Sequence, residues 1–135
     1  MREFVTDTHP LVWHLTKDAH LPRRCRRIFA QADAGRSIIW IPAIVLVEVI
    51  YLVEKRRLPA MLVGQVFVLL EPPAVNYRLV GLNLPILHTL QRVQREAVPD
   101  MPDRIIAATA LSLGLPLLSR DRVMAAVDGL EVVWQ

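Results

Sequence analysis

Cys25 is the only cysteine in 135 residues, which excludes an internal disulfide and a thiolate zinc cage. Cysteine usage of this kind fits a reducing compartment. Lysine is almost missing too, occurring only at Lys17 and Lys55, so arginine carries nearly all the positive charge. Arginine is the better residue for planar phosphate contacts. Aromatic residues make up 6% of the chain and are not interleaved with the basic ones, so a base-stacking platform of the single-strand-binding kind is unsupported. No apolar stretch reaches the roughly 18 to 20 uncharged residues that a membrane-spanning helix needs. The opening Met1-Arg-Glu-Phe-Val-Thr-Asp7 contains no readable secretory signal. These absences lead us to expect a cytoplasmic protein without a membrane partner.

What is present is a hydrophobic fraction of 53%, read as the core of a single domain over residues 1–135. A domain of that size buries about two-thirds of its unfolded surface without covalent help. The net charge of +3 permits a polyanionic partner without requiring one. The clusters Arg23-Arg24-Cys25-Arg26-Arg27 and Lys55-Arg56-Arg57 read first as solvated helix faces and only second as RNA contacts. Cys25 itself reads as a small packing residue.

Proline and glycine punctuate an alternation of short strand-like and helical runs. Phe4-Val-Thr is a strand ending at Asp7, and Pro10 suits the first turn of a helix through Leu15. A second helix starts at Pro22, places Ile28, Phe29 and Ala32 on one face, and ends near Gly35. Ser37 to Ile41 is a strand stopped by Pro42, and Ala43 to Glu54 is long enough for a helix despite its β-branched residues. Pro59 to Leu70 repeats that pattern and is ended by Pro72-Pro73; Val75 to Leu82 is a strand or its approach. Leu84 to Arg95 and Pro102 to Leu113 are helices, the latter closed by Gly114, and Pro116 to Ser119 and Glu131 to Trp134 are strands. Strands separated by helices predict an α/β domain with a parallel sheet covered on both faces.

Against this apolar background the acids stand out. Glu48 interrupts Ala43-Ile-Val-Leu-Val-Glu48-Val-Ile-Tyr-Leu-Val53, and Asp7, Asp103 and Asp121 adjoin similarly apolar runs. Burying an unpaired carboxylate is costly, so such groups are neutralised, paired or bound to a cation. Asp7 and Asp121 also fall where short strands give way to a turn or helix, the edge at which parallel sheets bind ligands. Converging carboxylates repel one another until a hard divalent cation relieves the repulsion. Magnesium or manganese fits, because no cysteine set or paired histidines stand at a zinc spacing. Metals held this way favour phosphodiester hydrolysis.

The segments Val5-Thr-Asp7-Thr-His9-Pro-Leu-Val-Trp13, Ile41-Pro-Ala-Ile-Val-Leu-Val-Glu48-Val, Asp100-Met-Pro-Asp103-Arg-Ile-Ile-Ala-Ala-Thr-Ala-Leu111 and Pro116-Leu-Leu-Ser-Arg-Asp121 resemble the acidic motifs of PIN domains. More narrowly, they resemble VapC-type toxins of toxin–antitoxin pairs, in order and spacing, from residue 4 to about 124. The resemblance implies a three-layer α/β/α domain with a central, mostly parallel sheet. It also implies a magnesium- or manganese-dependent endoribonuclease in which Asp7, Glu48, Asp103 and Asp121 hold metal and orient water. Ser119 would support an acid or a metal-bound water. Further implications are a cognate antitoxin, with a basic side chain reaching the acids, and a homodimer through the apolar helices around Ile44 to Val53 and Met61 to Leu70.

Each residue also has a plainer reading. Asp7 and Asp121 are ordinary capping residues, and Asp103 suits a helix first turn, where the macrodipole favours acids. Asp100-Met-Pro-Asp103 leaves open which acid is the third catalytic one, with Asp100 read mainly as a cap or support. His9 is read as a variable helix start and His14 as a surface or packing residue. Arg104 and Arg120 adjoin proposed ligands and either contact phosphate or neutralise the acids. Two other functions remain: a non-catalytic PIN-like module binding RNA or protein, and a metal-dependent phosphohydrolase of small substrates. The second lacks an Asp-x-Asp pair after the first strand, since Thr8-His9 follows Asp7.

Overall fold

The computed structural model describes residues 1–72 and 74–135. Five strands form one sheet: β1 (Arg2–Thr6), β2 (Ser37–Pro42), β3 (Tyr77–Val80), β4 (Leu117–Leu118) and β5 (Val132–Val133), in the order β3-β2-β1-β4-β5. Every pairing is parallel, with Val5 opposite both Trp40 and Leu117. Phe4 and Val5, and likewise Ile38 and Ile39, are consecutive yet all buried. Successive strand residues point to opposite faces, so both faces of the sheet are covered. This is the expected α/β layering, with the sheet wholly parallel.

The covering helices are α1 (Thr8–Leu15), α2 (Arg23–Asp33), α3 (Ala43–Glu54), α4 (Leu62–Leu70), α5 (Leu84–Arg92) and α6 (Met101–Leu113), followed by a 3-10 helix at Arg122–Ala126. α2 buries Cys25, Ile28, Phe29 and Ala32, the stripe expected from its period. The Cys25 thiol packs at the core and donates to the Trp134 carbonyl at 3.1 Å; burial pushes it up to about 11, as suits a structural cysteine. His14 stacks on Phe29 and pairs with Asp33 at 3.0 Å, the packing role expected of it. Gly114 ends α6 with φ 66, a left-handed conformation that glycine takes without strain.

Two helix ends differ by three residues from the sequence reading, and the starts of α2 and α6 by one. α4 starts at Leu62, because Pro59 to Met61 form a turn closed by the Leu62 N–H on the Pro59 carbonyl at 3.1 Å. α5 stops at Arg92, because Val93 is extended and the Arg104 guanidinium takes the Val93 and Leu90 carbonyls at 2.9 and 3.0 Å. Pro42 ends β2 from inside, pairing with Val80, and α3 begins at the next residue. Pro73, expected to help end the fourth helix, lies outside the described residues. The apolar surplus of α3 and α4 is visible as exposed Val47, Tyr51, Phe67 and Val68, with Met61 before them.

Candidate active site

The chain leaves β1 towards β2 on one side, while β4 lies on the other, which makes the β1–β4 boundary the topological switch point of the sheet. Open parallel sheets bind ligands there, beyond the carboxyl ends of the strands. Asp7 and Ser119 immediately follow β1 and β4. The Asp7 N–H continues the ladder to the Leu118 carbonyl at 2.9 Å, so the two strand ends are locked in register.

Asp7 is 6% exposed and both its oxygens are engaged. Oδ1 accepts the Thr8 N–H at 2.7 Å, which caps α1, and Oδ2 accepts the Ser119 hydroxyl at 2.7 Å. Ser119 Oγ in turn accepts the Asp121 N–H at 3.1 Å, so one hydroxyl ties two acids together. Asp121 Oδ1 accepts the Val123 N–H at 3.1 Å and caps the 3-10 helix. Glu48 reaches across from α3 and accepts the Thr8 hydroxyl at 2.7 Å. Thr8 therefore organises Asp7 through its backbone and Glu48 through its side chain.

Asp7, Thr8, His9, Glu48, Leu52, Asp103, Arg120, Asp121 and Arg122 line one cavity of about 520 Å³. All four acids expected at the site are thus brought together, from four separate stretches of chain. Asp100 caps α6 by accepting the Asp103 N–H at 3.0 Å and does not line this cavity. Among the described residues no three carboxylate, imidazole or thiolate groups are gathered tightly enough to chelate a single ion.

Burial first, and the neighbouring charges second, register in the protonation of three of the acids. Burial pushes the Asp103 carboxyl up to about 7, aided by the charges of Asp100, Asp7, Asp121 and Glu48. Burial also raises Glu48 and Asp7; Thr8 opposes the shift at Glu48, and Ser119, Thr8 and His9 oppose it at Asp7. Three raised carboxyl groups in one cleft make it the candidate site of the molecule. His9 sits at the rim, its imidazole lowered by burial and by Arg120.

The arginines divide. Arg104 donates to the Leu90 and Val93 carbonyls at the end of α5 and does not line the acid cavity. Arg120 lines the cavity, and so does Arg122, which sequence reasoning passed over. Thr8 was passed over as well; a hydroxyl directly after a motif acid was the available signal. Nothing local in the sequence announced its partner, Glu48, 40 positions away.

The PIN-domain family model matches residues 4–130, and the chain belongs to that family. No curated protein matches it by sequence. Among solved structures it is similar to VapBC2 from Rickettsia felis bound to a DNA fragment from their promoter, with TM-score 0.74, 16% identity, and 98% of this chain and 99% of that chain covered. It is also similar to DNA-bound VapBC from Salmonella typhimurium, with TM-score 0.68, 19% identity and 98% of each chain covered. A third is VapBC-5 from Mycobacterium tuberculosis, described as a member of the VapBC family of toxin–antitoxin systems, with TM-score 0.62, 19% identity and 100% of each chain covered. At these identities the likeness is one of fold.

Proposed function

We propose that this PIN-domain chain is a magnesium- or manganese-dependent endoribonuclease that hydrolyses RNA phosphodiester bonds and acts as the toxin of a type II toxin–antitoxin pair. The observation that carries the reading is the single cavity lined by Asp7, Glu48, Asp103 and Asp121, with the Asp103 carboxyl pushed up to about 7. The donor set is entirely hard oxygen, the chemistry that selects magnesium or manganese, and a divalent charge relieves the crowding. When bound, such an ion lowers the pKa of a water and stabilises charge on the phosphoryl and leaving oxygens.

The chain's own residues supply the positioning. Ser119 and the Thr8 N–H fix the Asp7 oxygens, and the Thr8 hydroxyl aims Glu48 from the opposite wall. Asp121 is set by its N–H on Ser119 and its own cap on Val123. Asp103 has no hydrogen bond to its carboxylate among the described residues, and burial leaves it the acid most readily protonated when no ion is bound. Four acids in one cavity favour catalysis over a non-catalytic module.

The VapBC neighbours support a cognate antitoxin as partner. The exposed apolar side chains of α3 and α4 support a homodimer, and a cytoplasmic setting suits an RNA substrate. End-labelled RNA incubated with magnesium, with manganese and with excess chelator tests the nuclease reading. Cleavage in both metals and none in chelator is expected; cleavage unaffected by chelator contradicts it. Toxicity on expression, relieved by a co-expressed neighbouring gene product, tests the toxin reading.

A further inference from the structure

Arg120 stands at the acid cavity without closing on any acid. Among the described residues the ion pairs are His14–Asp33 and His20–Asp18, so the Arg120 guanidinium is not consumed by Asp7, Asp121 or Glu48. Its Cζ lies instead 5.0 Å from the centre of the Trp13 ring. A guanidinium over an indole face is attracted by the ring quadrupole and keeps its fork of N–H donors for another acceptor.

The platform is itself braced. Trp13 has Trp134 at 5.9 Å, His20 at 5.7 Å and His9 at 6.0 Å between ring centres, and it belongs to α1, the helix that Asp7 caps. The backbone is held on both sides of Arg120, because the Ser119 N–H donates to the Val133 carbonyl at 3.2 Å and the Asp121 N–H donates to Ser119 Oγ at 3.1 Å. Arg24, Arg26, Arg78 and Arg104, in contrast, all donate to backbone carbonyls. Arg120 thus has a free fork, an oriented one, and a place in the cavity wall.

We propose that Arg120, braced on the Trp13 ring, is a substrate-binding clamp that grips an RNA phosphate next to the one cleaved at the acids, and that Trp13 is its positioning residue. The inference rests on the nuclease reading above. A neighbouring phosphate is held equally in ground and transition states, so its loss raises KM and spares kcat. The free guanidinium also offsets the like charge that four acids present to an incoming polyanion.

The test is steady-state cleavage of a labelled single-stranded RNA by the parent, Arg120→Ala, Arg120→Lys, Trp13→Leu, Trp13→Phe and the Arg120→Ala/Trp13→Leu double variant. For Arg120→Ala, KM should rise about tenfold, as for loss of one charge-assisted contact, with kcat within about twofold. The logarithmic salt slope of binding should fall by about 0.7, one phosphate contact on a single strand. Arg120→Lys should recover part of the loss, since charge stays but the fork goes. Trp13→Leu should raise KM in the parent but add nothing to Arg120→Ala, and Trp13→Phe should restore most of it. Unchanged KM and salt slope in Arg120→Ala overturn the clamp; an equal cost of Trp13→Leu in both backgrounds overturns the bracing. If the parent does not cleave, the nuclease reading falls. Anisotropy of the same RNA without metal then decides the clamp: weaker binding by Arg120→Ala supports it and equal binding overturns it.

Discussion

The first turns of α1 and α6 carry aspartate to different ends. At α1 one residue does both jobs: Asp7 caps the helix through Oδ1, turns Oδ2 to Ser119, and still lines the cavity. At α6 the jobs are divided, with exposed Asp100 as the cap and Asp103, three residues on, facing the acids. Hydrogen bonds to the charged form oppose the burial of Asp7, whereas Asp103 has none and is pushed up to about 7. A cap and a site acid are therefore not competing descriptions of a residue. Helix N-terminal N–H groups help hold an acid ionised, and an acid without them is left raised by burial and by its neighbours.

The largest effect should come where the jobs coincide. Asp7→Asn keeps the cap, because asparagine caps as well as aspartate, and should lower RNA cleavage by on the order of a thousandfold with an unchanged circular-dichroism spectrum. Full activity in that variant removes Asp7 from the site.

At α6 the jobs should separate. Asp103→Asn is expected to lower cleavage by on the order of a hundredfold with the fold intact, while Asp100→Asn retains most activity. An inactive Asp100→Asn beside an active Asp103→Asn reverses the assignment of the third acid.

Protonation should sharpen the contrast further. A carboxyl whose folded pKa is raised binds its proton more tightly folded than unfolded, so stability is greatest with the proton bound and declines as pH rises from about 4 to about 7. Metal-free protein should melt higher at pH 5 than at pH 8, and Asp103→Asn should lose much of that difference. The variant should melt above the parent at pH 8 by roughly 2–4 °C. Identical pH profiles mean that Asp103 is not crowded as described.

The smallest effect belongs to the pure cap. Asp100→Ala should cost about 1 kcal/mol in denaturant unfolding, and Asp100→Asn close to nothing, because asparagine caps as well as aspartate. A larger loss from the asparagine variant than from alanine contradicts the capping role.

Much of this was legible in the residues. Alternating runs and their proline and glycine punctuation predicted the parallel sheet, and the strand ends at Asp7 and Asp121 pointed to the site edge before any contact was known. These signals are local, because periodicity and capping act within a few residues. Tertiary ties were not legible. The Thr8 hydroxyl on Glu48, the arrest of α5 by Arg104, and the entry of Arg122 into the cavity through a 3-10 turn all depend on segments far apart in the chain. The carbonyl contacts of Arg104 were hidden for the same reason, since residues adjacent to one another in sequence point to different sides of a helix.

The central claim is that the acids form one cation-binding set in which Asp103 carries a proton until the ion binds. Manganese titration calorimetry near pH 6.5, in two buffers of different ionisation enthalpy, tests it most directly. The account predicts binding by the parent with proton release, because the raised carboxyl must ionise to accept the ion. Asp103→Asn should bind more weakly and release fewer protons. Equal affinity and equal proton release in the two proteins would contradict it.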